Sequence, residues 1–302
     1  MTIRIILTLS LILLAGCEPA NPPEDTGEAG IRFKMVGKLE ADKLDEASGI
    51  VAGNDGVFFL HNDDGNHIFA IDATGRDLGR MKIKDANNKD WEDITRVIGE
   101  EGPVLVIGDT GDNHAGRKKV TLYFVKEPSR EDFQDKLEPI HRLKVRYQDG
   151  PRDVEAMAYD PASDMILFLS KRDKPPRLYG IPMDLALWED ELEAVFLGEV
   201  PGFRPPTRSD ILSSPKRGFW VSQPTGMDIS EDGRTAAVIT YRSLYVFKRT
   251  DDETWAEAFQ REPVEYRGPP GLHDEAVGFS HDQQSIYVTT ERRPAPLYRL
   301  DP

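Results

Sequence analysis

The segment KDWEDITRV, residues 89–97, sets Trp91, Glu92 and Asp93 directly ahead of a short apolar run. A strand built only for a core would not open on two carboxylates and an indole. Four other segments share its grammar: ASGIVAG from 47, VEAMAYD from 154, TGMDIS from 225 and DEAVGFS from 274. Each of the five is followed by a more apolar run (GVFFLHN, PVLVIGD, MILFLSK, TAAVITY, SIYVTTE) and then by a third (HIFAIDA, VTLYFVK, RLYGIPM, SLYVFKR, PLYRLDP). A weaker fourth run, LGRMKIK, HRLKVRY, EAVFLGE or EPVEYRG, completes four of the five modules.

Short β-rich runs broken by Gly, Pro, Asn and Asp indicate an all-β chain. Helical periodicity is confined to 185–196 and 131–140. Repetition of a four-strand module predicts a five-bladed β-propeller over residues 31–302. The fifth module lacks its fourth strand, and IRFKMVGKL (31–39) supplies one from the opposite terminus, which closes the ring and hides its edges. Six blades remain the alternative, with a degenerate blade in the Pro-rich stretch at 200–220, which is short for one.

Residues 1–16 read as a lipoprotein signal peptide: Arg4, an apolar run too short to span a bilayer, and Leu14-Ala15-Gly16-Cys17, which matches the bacterial lipobox. Lipidated Cys17 and the polar, Pro-rich segment to residue 30 form a flexible tether. The expected location is the cell envelope, held to the membrane by lipid, on the periplasmic side of the outer membrane in a Gram-negative cell because Glu18 follows the cysteine. Cys17 is the only cysteine, so disulfides and thiol chemistry are excluded. A formal charge of -15 argues against a nucleic-acid partner.

In a propeller the first strand of each blade is innermost, and its opening residues surround the central channel. The equivalent positions are Ser48, Glu92, Glu155, Thr225 and Glu275. Three carboxylates about 6 Å apart, in an effective dielectric of about 20, repel by roughly 2.8 kcal/mol per pair. Protonation, a nearby Lys or Arg, or a bound cation could relieve that. Ca²⁺ suits an all-oxygen ring best. Loops after the second strands carry acids in the first two modules and bases in the last three: Lys171 and Arg172, Arg242, then Arg292 and Arg293. An arc of this kind would suit an anionic small molecule or envelope component. HNDDGNH (61–67) and GDTGDNHAGR (108–117) lack EF-hand spacing and read as tight turns, as do the Asp164 and Asp232 hairpins. No hydrolase, P-loop or dinucleotide motif is present.

The blade starts EASGI, DWEDI, DVEAM, PTGMDIS and HDEAVGF resemble those of the SdiA-regulated bacterial periplasmic propellers. The hydroxyl-acid-acid-hydroxyl-acid order is also similar to that of the calcium-activated nucleotidases (apyrases), and the repeat style to the phytase propellers. The apyrase resemblance implies that Ser48, Glu92, Glu155, Thr225 and Glu275 are calcium ligands. The family pattern differs at Thr225 and at Asp93, Ala156 and Ala276, where a glycine would follow the ring residue. Two functions fit: a lipid-anchored binding or scaffold module with central calcium, or a calcium-dependent hydrolase of phosphate or carboxylic esters. The sequence does not decide whether the protein is an enzyme.

Overall fold

The computed structural model describes residues 32–99, 101–268, 274–291 and 293–302. Strand β1 (Lys34–Lys38) comes first. A first blade follows as β2 (Ala47–Ala52), β3 (Val57–Asn62), β4 (His67–Asp72) and β5 (Asp77–Ile83). The second holds β6 (Asp93–Gly99), β7 (Gly102–Asp109), β8 (Val120–Lys126) and, after the two-residue β9 (Lys136–Leu137), β10 (His141–Tyr147). The third is β11 (Val154–Asp160), β12 (Met165–Ser170), β13 (Arg177–Pro182) and β14 (Glu191–Glu199). The fourth is β15 (Pro224–Ile229), β16 (Thr235–Thr240), β17 (Ser243–Lys248) and β18 (Val264–Arg267). The last is β19 (Asp274–Phe279), β20 (Ile286–Thr290) and β21 (Pro296–Leu300), with β1 as its outer strand.

The chain is thus a β-propeller, and its core is divided. Each hydrophobic cluster lies between two neighbouring blades. Phe124, Leu143, Phe168 and Tyr179 fill the gap between the second and third, and Met227, Tyr245, Leu169 and Trp255 the gap between third and fourth. Phe58 and Leu60 meet Tyr287 and Leu297 across the join of last and first blades. The remaining two gaps are filled in the same way. Inner strands are therefore buried on both faces, whereas the fourth strands β5 and β10 alternate buried and exposed residues because one face meets water.

β1 pairs antiparallel with β21, Lys34 opposite Arg299, and so closes the ring from the other end of the chain. It also abuts the β4–β5 turn of the first blade. Gly75 there has φ +88, and a Cβ on it would lie 2.3 Å from the Lys38 carbonyl oxygen. Only glycine meets both demands.

The outer rim departs from simple repetition. β10 pairs in parallel with β14, which joins the second and third blades into one sheet, and β9 pairs in parallel with β5 of the first blade. The helical pattern at 185–196 yields one short helix, α1 (Met183–Ala186), before β14 takes over. Two-sided pairing of β14, with β13 and β10, overrides the local periodicity. Likewise 131–140 forms a 3₁₀ turn at Arg130–Asp132 and β9. The Pro-rich insertion carries α2 (Arg208–Ser213), N-capped by Thr207, and no sixth four-stranded blade appears among the described residues.

Candidate functional site

Four of the five ring positions share one backbone device. The β2–β3 ladder slips between Ala47 and Gly49, leaving Ser48 without a residue opposite it. The same slip isolates Glu155 between Val154 and Ala156, Thr225 between Pro224 and Gly226, and Glu275 between Asp274 and Ala276. A bulge bends the strand and re-aims the extra residue. Glu92 stands just ahead of β6; its N–H donates to the Gly108 carbonyl at 2.9 Å, and Gly108 itself pairs with Asp93. Trp91, fully buried, holds this start in place by packing against His61 and Tyr123, with ring centroids at 5.7 and 5.8 Å. That accounts for the indole beside the two acids.

The two hydroxyl positions act as clips between blades. Ser48 Oγ donates to the Glu92 carbonyl at 3.0 Å, and Thr225 Oγ1 to the Asp274 carbonyl at 2.8 Å. Ser48 thus reaches the next acidic position itself, and Thr225 the residue just before one. Inside the ring, fully buried Asp93 accepts N–H bonds from Met157 (2.8 Å), Met227 (3.0 Å) and Ile94 (2.9 Å). One carboxylate thus ties the inner strands of three blades.

A cavity of about 220 Å³ opens above this layer, among the starts of the inner strands and the loops after the second strands. Ser48, Glu92, Glu155 and Glu275 line it; Thr225, fully buried, does not. Asp63, Asp90 and Glu291 bring the carboxylates facing it to six among the described residues, against the cationic Lys171 and Arg217, with Asn113, Trp220 and Tyr241 completing the wall.

Lys171 is buried, pairs with Glu155, and donates to Tyr241 Oη at 2.7 Å. Its ammonium therefore lies inside the carboxylate ring and supplies one of the three means of relief that the ring demands. Burial disfavours that charge, but Glu155, Tyr241, Glu275 and Glu92 outweigh it and hold the ammonium above the usual lysine pKa. Burial raises the Glu155 carboxyl to about 7 against the pull of Lys171. Glu92 is held well above the ordinary carboxylate range by burial and then by Glu155 and Asp90, and Glu275 by burial and then by Glu155 and Glu291. Asp63 is pushed to about 7 by burial and by Glu46, Glu291 and Asp64.

Asp153, missed in the sequence, belongs with this group. It offers a carboxylate oxygen within 4.8 Å of one each from Glu92 and Glu155. A cation with ligand bonds of about 2.4 Å can bridge such a spacing. Arg172, half-exposed, pairs with Asp153 at 2.5 Å and with Asn113, so it braces the ring from outside.

Arg242 requires a correction. Expected to face a ligand, it is buried and directed into the insertion, where its guanidinium holds Asp210 Oδ2 (2.7 Å) and the Arg204 carbonyl (2.7 Å). Lys171 likewise points into the ring and not toward open rim. Arg293 reaches back to Asp42 and Asp45. Arg292 and Cys17 lie outside the described residues. Asp109 and Asp112 serve their loop as turn formers: Asp112 accepts from Gly116 N at 2.9 Å and Arg117 N at 2.7 Å, and Asp109 pairs with Arg117 at 3.0 Å.

No family model matches the chain, and no curated protein matches it significantly. Among solved structures, a gluconolactonase, XC5397 from Xanthomonas campestris, is 11% identical with TM-score 0.46 over 91% of this chain and 90% of that one. A streptogramin B lyase is 10% identical with TM-score 0.42 over 89% and 97%. A chain of the mitotic checkpoint complex is 11% identical with TM-score 0.40 over 83% of this chain, which spans 60% of that chain's length.

Proposed function

We propose that this propeller binds Ca²⁺ at the carboxylate-lined channel mouth and serves as a ligand-binding module, held at the cell envelope by lipidated Cys17. The observation that carries the reading is the charge of one cavity: six carboxylates against Lys171 and Arg217. The donor set fits the ion, being all hard oxygens with no thiolate or imidazole among the lining residues. Glu92, Glu155 and Glu275 would hold it, with Ser48 and Asp153 beside them. Thr225 stays an inter-blade clip. A bound ion would neutralise the ring and present an electrophilic face to anionic oxygens of a small molecule or envelope component. The resemblance of the blade starts to SdiA-regulated periplasmic propellers supports the envelope setting.

The test is calorimetric titration with Ca²⁺. One site is expected, weakened at least tenfold by Glu92→Gln and little changed by Thr225→Ala. A wild-type protein that takes up no Ca²⁺ and melts at the same temperature in chelator refutes the calcium reading. Cys17→Ala should move the protein from the membrane to the soluble fraction.

A second reading, a calcium-dependent hydrolase of phosphate or carboxylic esters, is favoured by one detail. Glu155, raised to about 7, contacts Lys171, which bonds to Tyr241, so groups able to move a proton stand beside the proposed cation. Turnover of phosphate esters or lactones that needs Ca²⁺ and is lost in Tyr241→Phe would establish it.

A further inference from the structure

The same channel has another mouth, where the inner strands end. Asp93 closes the axis between the two, being fully buried and engaged with three backbone N–H groups. Below it lies a separate cavity of about 280 Å³. Its walls come from the far ends of all five inner strands and include Val51, Ile98, Tyr159, Ile229 and Phe279. Most of that lining is apolar, and Asp228 stands in it, half-buried.

Charge balance singles out Asp228. Its carboxylate accepts one N–H on each oxygen, from Ile229 at 2.9 Å and from Phe279 at 2.8 Å. A carboxylate has about four acceptor positions, so two remain. No Lys or Arg pairs with it among the described residues. The cation that does reach the cavity, Arg96, is already engaged: Nε with Glu127 at 2.5 Å, Nη2 with Asn54 at 2.9 Å, and Nη1 with Glu231 at 3.7 Å. Thr95 is also occupied, since its hydroxyl accepts from Tyr159 N at 3.0 Å. What remains is one uncompensated carboxylate in an apolar chamber, with Glu231 adding further negative charge at the rim.

We propose that this opposite mouth is a second binding site, for a primary ammonium carried on a compact apolar body. The ammonium would pair with Asp228 and fill its open acceptor positions, while Val51, Ile98, Ile229 and Phe279 take the apolar part. Burial raises the Asp228 carboxyl to about 7, and an incoming cation would reverse that shift. The volume of about 280 Å³ admits a single ring or a short branched chain.

The test uses benzylamine as probe and benzyl alcohol as its uncharged counterpart, titrated into the folded protein by NMR at pH 8. Benzylamine should shift signals of Val51, Ile98 and Phe279 and bind at least tenfold more tightly than the alcohol. Asp228→Asn should remove that preference. Should that variant fail to fold, Ile98→Lys decides: Ile98 is 59% exposed, so the change is tolerated, and it puts a competing ammonium at the entrance. It should weaken benzylamine at least fivefold. Glu92→Gln, at the other mouth, should leave the titration unchanged, which separates this site from the proposed calcium site. Equal affinity for amine and alcohol, no binding by either, shifts confined to the Glu92 end, or indifference to Ile98→Lys each overturns the proposal.

Discussion

Replacing Lys171 with methionine keeps the aliphatic stem and deletes the one ammonium paired inside the ring. In the wild type that charge faces Glu155 directly, with Glu92 and Glu275 also acting on it. A unit charge about 4 Å from a carboxylate, in an effective dielectric of about 20, gains about 4 kcal/mol. Breaking a buried pair from one side typically costs 3–5 kcal/mol, because the partner is left uncompensated. Without Ca²⁺, Lys171→Met should therefore melt about 10 °C below wild type, taking about 2–4 °C per kcal/mol for a domain of this size. The effect on calcium has the opposite sign. An ammonium about 6 Å from a divalent ion opposes it by about 5 kcal/mol at the same dielectric, and if a quarter of that survives screening, affinity rises about tenfold when it is removed. The assay is thermal melting with chelator and across a Ca²⁺ titration, at pH 8 so that ring protonation cannot substitute for the lost charge. A variant that melts with wild type in chelator, or that binds Ca²⁺ more weakly, would refute the idea that Lys171 and a metal compete for the same carboxylates.

Protonation of the ring gives a pH signature. Glu155 titrates near 7 in the folded protein against an ordinary 4.5, so its contribution to stability is full below about pH 4.5 and is lost as pH rises through 7. Calcium-free wild type should lose about 3 kcal/mol relative to Glu155→Gln between pH 5 and pH 8, measured by denaturant titration, and Ca²⁺ should shrink the gap. Asp93→Ala orphans N–H groups of Met157 and Met227 in two other blades and should cost about 3–5 kcal/mol in urea unfolding. Arg242→Ala frees the insertion from its clamp and should open 204–222 to limited proteolysis, at a cost of about 2–4 kcal/mol. Deleting residues 32–39 strips the outer strand from β21 and should lower the melting temperature far more than trimming 18–30, which the same scan would show.

The repeat was legible because strand order and strand polarity are written in residue types: each module opens on a hydroxyl or acid and proceeds to runs apolar enough to be buried twice over. Those opening residues mark the ring, and the bulge that isolates four of them explains why neighbouring pairs such as Asp274-Glu275 do not simply alternate between faces. Lys171 was recognisable as a base after a second strand, yet not as part of the ring. Its direction follows from tertiary pairing, its own N–H bonding to the Asp153 carbonyl at 2.9 Å, which no local pattern encodes. Arg242 misled for the same reason: its partner Asp210 belongs to an insertion that repeat analysis leaves undefined. Asp63, read as a turn residue, occupies its turn and also lines the cavity. Asp153 and Glu291 sit beside recognised positions and became visible only when the blades were brought together.

The rim pairings distribute stiffness unevenly around the circle. β9 stitches the second blade's long excursion to the first blade, and β10 with β14 stitches second to third, so three consecutive blades share continuous backbone ladders at their outer edges. The fourth and fifth blades have no such ladder to a neighbouring blade among the described residues; side-chain packing holds them. Ser48, Glu92 and Glu155 therefore ride on one rigid arc, while Thr225 and Glu275 ride on the compliant remainder. An entering ion would meet Glu92 and Glu155 already at fixed spacing, and closure onto it would come from Glu275 moving as the fifth blade settles. Slow amide exchange along β10 and β14, with faster exchange along β18, is the pattern such a ring would leave.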